Sequence, residues 1–414
     1  MADVQPFQAL HYDLSRVGGL QDVAAPPYDV IDAAQRADLL ARSPYNVVQI
    51  DLPQAADGGD PYAHAADVFE QWQRDGVLVR DDDPALWALE QQYTGPDGQR
   101  RTRHGFFARV KVEDYGPGRI RPHERTHPGP KEDRLRLTRA THANLSPIFS
   151  LYDDPQEAAW GALAPFVNDP PWSEVTDEDG TVHRLWRVTD PDAHAQVAEA
   201  LAAAELLIAD GHHRYETARV YHEEGGAGHV LMCLVALQDP GLTVFPTHRL
   251  LTRIENREAL RDTIQRDFEI ESVGDDTLEP IGDGPVRLGY LDAHHRRPLM
   301  LTLRDPAIAA AALPGKPAPY RDLDTAVLEA VLLKGALGMS EDDISHLNGL
   351  DYARDYDQAR ERVESGAAEA AFFMRATPVE QVRDVAATGE SMPPKSTFFF
   401  PKVLTGMVFN PLDD

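Results

Sequence analysis

Two uninterrupted apolar runs, Glu205–Ala209 (ELLIA) and Val230–Leu237 (VLMCLVAL), flank a polar stretch of helical character. A run without polar alternation belongs to a strand covered on both faces, so helices must pack on either side of the sheet. The intervening Asp210-Gly211-His212-His213-Arg214 opens a helix expected to reach about Glu223. Strand, glycine, helix and strand in that order, with the further strands and helices below, place the chain in an α/β (α+β) class.

The remaining elements follow from periodicity and punctuation. A helix is expected over Ala33–Ala41, stopped by Ser43-Pro44, and an amphipathic one over Tyr62–Asp75. Tyr45–Leu52 (YNVVQIDL) reads as a buried strand, and Ala85–Tyr93 and Thr102–Val112 read as paired strands around the turn Gly95-Pro96-Asp97-Gly98. Arg121–Asn144 is polar, with only Leu135 and Leu137 as large apolar residues, and its first part, Arg121–Arg134, reads as a loop. Strands and helices return over Ser146–Leu151, Leu185–Val188 and Ala193–Ala204. The acidic, glycine-rich Gly274–Gly284 stretch divides the chain into an N-terminal and central lobe, 1–275, and a C-terminal α/β lobe, 276–414. In the second lobe, strands are expected near Val286, near Pro298, over Ala370–Arg375 and over Phe398–Phe400, with a helix from Thr325 to Leu337.

Charge narrows the function. A formal net charge of −28 argues against a general nucleic-acid or anionic-membrane surface, which carries a basic footprint. One local phosphate site stays compatible with it. The single cysteine, Cys233, excludes an intrachain disulfide, a Cys-rich zinc site and a two-thiol redox mechanism. No apolar run approaches membrane-spanning length, and the N-terminus lacks the pattern of a signal peptide, so a cytoplasmic location is expected.

Four segments carry chemistry. In the first, the turn from Ala209 into the helix makes an anion site, because backbone N–H groups and the positive dipole end face a phosphate. Gly211 permits close approach and Arg214 can fork to phosphate oxygens; Asp210 is a candidate base or Mg²⁺ ligand, with His212 and His213 as donors. The bland alternative is a capped helix with solvated side chains. The second segment, Arg121–Arg134, crowds four cations, two histidines and three carboxylates into one stretch. There Lys131 and Arg134 would neutralise phosphate and Glu124 would act as base or metal ligand, while a histidine metal site would use His123, Glu124 and His127. The third, Ala25–Ile31 (APPYDVI), presents Tyr28 and Asp29 after rigid prolines, although Asp29 or Asp32 also suits a helix cap. The fourth, Met392–Lys402 (MPPKSTFFFPK), docks an aromatic tail and exposes Lys395, Ser396 and Thr397. Lysine is scarce, six against 34 arginines, and three of the six (Lys131, Lys395 and Lys402) fall in these segments.

APPYDVI, HERTHPGPKEDR, IADGHHRYETA and MPPKSTFFFPK, in that order, resemble the DUF1015 family over about residues 5–408. That family name denotes unknown function. More remotely, Gly211-His212-His213-Arg214-Tyr215-Glu216-Thr217-Ala218 is similar to the Gly-x-x-Arg-x-x-x-Ala box of the ParB/sulfiredoxin-like superfamily. The resemblance implies a mixed-sheet, ParB/sulfiredoxin-like nucleotide-binding core with a large insertion and a C-terminal α/β lobe, in which Gly211 and Arg214 touch phosphates. Sulfiredoxin chemistry needs a cysteine in the box, where this chain has His212-His213, and partition proteins bind DNA, which −28 disfavours. The Asp-Gly-His before the arginine resembles the free-serine kinases of that superfamily. The expectation is Mg²⁺-dependent phosphotransfer from ATP or ADP to a small hydroxylated metabolite, with L-serine the leading acceptor and no DNA, RNA or membrane partner. Lys131, Arg134 and Lys395 complete the nucleotide site, and Asp210 with Glu124 would hold the metal. The alternatives are a nucleotide-binding or nucleotide-hydrolysing regulatory protein and a metal-dependent hydrolase.

Overall fold

The computed structural model describes residues 2–412 except 56, 57, 125 and 127. Two compact units form: residues 1–122, 126–242 and 401–414 make the first, and 123–125 with 243–400 make the second. The division therefore falls at Leu242/Thr243 rather than at 275/276, and the last fourteen residues return to the first unit. Gly274–Gly284 lies inside the second unit, mostly exposed but anchored by the fully buried Leu278.

The first unit is built on a nine-stranded mixed sheet. Its strands are β1 (Val4–Gln5), β2 (Leu86–Thr94), β3 (Arg100–Lys111), β4 (Ile120–Arg121), β5 (Ile148–Tyr152), β6 (Ser173–Thr176), β7 (Val182–Val188), β8 (Leu206–Asp210) and β9 (His229–Ala236). They lie in the order β4-β8-β5-β9-β3-β2-β7-β6, with β1 adding to β3. The pairs β4/β8 and β5/β9 are parallel, and the other pairs are antiparallel. Seven of the eight β9 residues are buried, as the unbroken apolar run requires. The core beneath joins Phe106, Ile148, Leu206, Ile208, Met232 and Leu234 to the helix residues Val197 and Tyr215.

Six helices bear on the argument: α1 (Ala33–Arg42), α2 (Val48–Asp51), α3 (Pro61–Arg74), α4 (Pro128–Thr141), α5 (Pro191–Leu201) and α6 (His212–Glu223). Two of them correct the sequence reading. Tyr45–Leu52 is not a strand: the Asn46 carboxamide oxygen, one residue before the Val47 N-cap, accepts from Val48 N (3.1 Å) in a local turn that leads into α2. A short apolar run fits a buried helix as well as a buried strand, and here a local side-chain-to-backbone hydrogen bond favours the turn. The polar stretch Arg121–Arg134 is not all loop, because its second half opens α4. Pro128 and Pro130 lie in its first turn, where no intrahelical N–H is required. Leu135 and Leu137, with 4% exposure each, suffice to seat it.

The second unit is an antiparallel sheet of six strands. They are β10 (His248–Leu251), β11 (Phe268–Ser272), β12 (Arg287–Asp292), β13 (Leu299–Leu303), β14 (Leu350–Ala353) and β15 (Ala370–Phe373), in the order β11-β13-β12-β15-β10-β14. One face is covered by α7 (Arg257–Asp267) and by a helix that starts at Asp324–Val327 and widens to a π-helix over Leu328–Ala336. Among the described residues no helix is long and apolar enough to cross a membrane.

Candidate functional site

The strand β8 ends at Asp210, and α6 starts two residues later. Gly211 makes the turn at φ +95°, in the left-handed region, and its missing side chain leaves the first turn of α6 without a side-chain cap. A Cβ here would lie 3.0–3.1 Å from the Arg214 guanidinium, which rests on the Gly211 backbone. The glycine is thus required both by its dihedral angles and by the arginine above it.

Asp210 is held between two cations. Lys402 Nζ donates to Oδ1 at 2.5 Å and Arg214 Nη2 to Oδ2 at 2.7 Å, while Arg214 Nη1 donates to the Pro147 carbonyl. Burial alone would raise the Asp210 pKa. The Lys402 ammonium and the Arg214 guanidinium overcome that and hold the carboxyl well below the usual carboxylate range. His212, buried in the first turn of α6, adds to the pull, and His213 beside it is half-buried.

More positive charge gathers from α4. Arg134, 5% exposed, donates from Nη1 to the Asp51 carbonyl (2.7 Å) and carboxylate (3.2 Å), and its guanidinium lies 4.0 Å from the Tyr28 ring centroid. Asp51 also accepts from the Ser146 hydroxyl at 2.9 Å. Burial pushes the Tyr28 phenol up to about 12 against the pull of Arg214 and Arg134, so the APPYDVI segment shares their field. Lys131 Nζ lies 3.6 Å from Glu216 on α6. Behind the arginines is a crevice of about 40 Å³, lined by Asp51, Arg134, Ser146, Arg214 and Thr217 among others. That volume suits a water or two, not a nucleobase.

The position of Lys402 rests on a network inside the sheet. Arg103, 1% exposed, donates from Nε to Gln91 Oε1 (2.9 Å) and from Nη2 to the Pro401 carbonyl (2.6 Å), 4.6 Å over the Phe149 ring. Gln91 Nε2 donates to the Lys402 carbonyl (3.2 Å) and contacts His183 Nδ1 (3.1 Å), whose Nε2 lies 2.9 Å from Asp177. Burial lowers the Arg103 pKa to about 10, so the guanidinium stays charged at neutral pH. A buried cation with this many fixed acceptors holds the backbone of 401–402, and with it the lysine, in one place.

Of the residues expected to act, Asp210, Gly211, His212, His213, Arg214, Lys131 and Arg134 lie in the first unit. Lys402 and Asp51 join them without having been singled out as site residues. The scarcity of lysine pointed weakly at Lys402; nothing local marked Asp51, which sits in the segment read as a strand. His123, Glu124 and Lys395 belong to the second unit. There His123 is fully buried, with Nε2 2.8 Å from the Thr397 hydroxyl and its carbonyl accepting from Met392 N. Lys395 is exposed at φ +56°, and its carbonyl, like that of Pro394, accepts from the buried Arg249 at 3.1 Å. Burial lowers the Arg249 pKa, while Tyr352, Glu329 and Glu124 oppose that fall. His127 lies outside the described residues. Among the described residues no group of three or more His, Cys, Asp or Glu side chains is placed to hold a metal ion. Asp210, with each oxygen taken by a cation, does not fit a metal held by the protein alone.

The chain is thus a two-unit α/β protein with a cationic strand-to-helix turn in its first unit. The family described as "Protein of unknown function (DUF1015)" matches residues 4–326, and the chain belongs to it. Solved structures with a similar fold include a free serine kinase in complex with AMP, 14% identical, covering 71% of this chain and 86% of that one at a TM-score of 0.38. A mutant free serine kinase in complex with ADP is 13% identical, with 71% and 87% coverage and a TM-score of 0.39. A conserved hypothetical protein from Pyrococcus furiosus is 13% identical, with 71% and 90% coverage and a TM-score of 0.37. No curated protein matches the chain.

Proposed function

We propose that the first unit binds the phosphates of a nucleotide and that the protein transfers a phosphoryl group from ATP or ADP to a small hydroxylated metabolite, with L-serine the first candidate. The observation that carries this reading is the Lys402–Asp210–Arg214 clamp at the Gly211 turn. Two cations, a glycine and a helix N-terminus on one carboxylate form a cradle whose negative charge a phosphate can replace or share. In the chain without ligand, Asp210 keeps the cations oriented. When a phosphate arrives, Lys402 and Arg214 turn part of their hydrogen bonding to its oxygens.

Phosphoryl transfer asks for positioning and charge neutralisation more than covalent chemistry. The acceptor hydroxyl oxygen would form a bond to the terminal phosphorus, the bond to the bridging oxygen would break, and the hydroxyl proton would pass to a base. His212 and His213 are the groups we assign as donors to phosphate oxygens, with Lys131 and Arg134 as supporting positive charge in the same unit. Any Mg²⁺ is expected to enter on the nucleotide phosphates, which suits a metal that usually keeps only one or two protein ligands.

The test is thermal stability with ATP and with ADP, each with and without Mg²⁺, on the native chain and Arg214→Ala. Binding to the folded state adds RT ln(1 + [L]/Kd), about 2.7 kcal/mol at a hundredfold excess over Kd. A shift that disappears in the variant supports the cradle; equal shifts in both proteins, or none with any nucleotide, refute it. With binding in hand, nucleotide turnover that depends on serine and fails in Arg214→Ala supports the transferase. Turnover that no hydroxylated metabolite stimulates would favour a nucleotide hydrolase.

A further inference from the structure

A groove of about 730 Å³ opens in the second unit between α7 and the edge of its sheet, remote in sequence from every motif above. Its origin lies in the register. Ile270 of β11 pairs with Leu301 and through it with Leu288, and α7 covers that row well enough to bury the last two completely. The next row, Ser272–Leu299–Tyr290, runs beyond the helix. Leu299 and Tyr290 are therefore only half-buried, and Ile270 is 43% exposed, a rare state for a large apolar side chain among the described residues. Apolar surface left in water costs roughly 25 cal/mol per Å². A floor of this kind within a cavity of ordinary ligand size is a feature of small-molecule sites.

The rim carries three arginines against the carboxylates Glu258, 3.6 Å from Arg261, and Asp292. Arg257 is paired with Glu369 at 2.6 Å and Arg261 with Asp262 at 3.0 Å. His295 lies 3.2 Å from Asp292. Arg297 and His294, in contrast, make no ion pair with any described residue, in a chain carrying 68 acidic side chains. The turn that brings them to the groove holds Arg296 at φ +53°, a conformation an L-residue adopts at a cost. The edge strand bordering the groove has outward-facing Glu269 and Glu271, which discourage addition of another strand and leave the cavity itself as the place a partner enters.

We propose that this groove binds a small amphipathic carboxylate, an aromatic or branched aliphatic acid, with its apolar body on Ile270, Leu299 and Tyr290 and its carboxylate at Arg297 and His294. The site is independent of the phosphate cradle, and either assignment can fail alone.

The experiment is calorimetric titration of the full chain with phenylacetate, indole-3-acetate and octanoate, with acetate and 2-phenylethanol as controls lacking the body or the charge. Ile270→Glu and Arg297→Glu both alter exposed side chains, and circular dichroism with a melting curve verifies their fold. Saturable one-to-one binding of at least one acid is expected, weakened roughly tenfold or more in each variant and in both controls. Three results overturn the proposal: no saturation by any of the three acids, affinity unchanged in both variants, or equal affinity for 2-phenylethanol. Sedimentation is the remaining arm: a dimer that Ile270→Glu dissociates would make the face an interface between copies and also overturn it.

Discussion

Replacing Lys402 by Met removes one of the two cations on Asp210 while keeping most of the side-chain volume. At an effective dielectric of about 20, two unit charges 4 Å apart attract by about 4 kcal/mol. Lys402 is 24% exposed and Asp210 17%, so solvent screening and side-chain ordering take back part of that, and Arg214 still holds Oδ2. The net loss is expected at about 1–2 kcal/mol, or roughly 2–8 °C in Tm for a unit of this size. The sign with pH follows from the depressed Asp210 pKa. Its contribution is present above the ordinary carboxylate pKa of about 3.9 and is lost as pH falls through the lower folded-state value. In Lys402→Met, with only Arg214 left, that loss begins at higher pH. Melting curves from pH 3 to pH 8, with and without ADP, read both effects, and ADP affinity should fall about tenfold, equivalent to 1.4 kcal/mol. A variant that melts and binds ADP as the native chain does would refute the clamp as both a structural and a binding element. Lys402→Arg, which restores the charge, should recover part of both.

Gly211→Ala places a Cβ against the Arg214 guanidinium and forces φ +95° on an L-residue. A loss of about 1–2 kcal/mol in urea unfolding and weaker ADP binding are expected, and native-like stability would contradict the requirement for glycine. His104 gives a prediction of opposite pH sign. Burial would lower its pKa, but Asp239 and Glu90 raise it from 6.5 to about 9. The resulting stability, roughly 2 kcal/mol, is full below pH 6.5 and lost as pH rises through about 9. His104→Gln should flatten the urea midpoint between pH 7 and pH 9.5, and an unchanged slope would remove His104 as its source.

The chain's central strands were legible because burial on both faces leaves a mark in composition. Val230–Leu237 and Glu205–Ala209 have no polar alternation and became β9 and β8 with ends shifted by about one residue. The glycine between strand and helix was legible for the same local reason, as few residues adopt its dihedral angles. Tyr45–Leu52 was not, because its apolar residues fit two buried conformations and the turn closed by Asn46 on Val48 N favoured the helical one. The helix α4 escaped notice because two leucines seat it, and most of what it buries besides is polar: Arg134 against Asp51 and Tyr28.

By itself, then, the amino-acid order determined the α/β class, the strand–glycine–helix turn and the identity of most cations near it. Each depends on interactions within a few residues or on the hydrophobicity of one segment. Tertiary structure alone decided which charges meet. Lys402, its backbone held by the Arg103–Gln91 network, reaches Asp210 across 192 positions, and Arg134 reaches Asp51 across 83. It also decided that His123, Glu124 and Lys395 belong with the second unit. Pairings of that range leave no periodic trace, because their partners are chosen by the packing of the sheet rather than by neighbours in the chain.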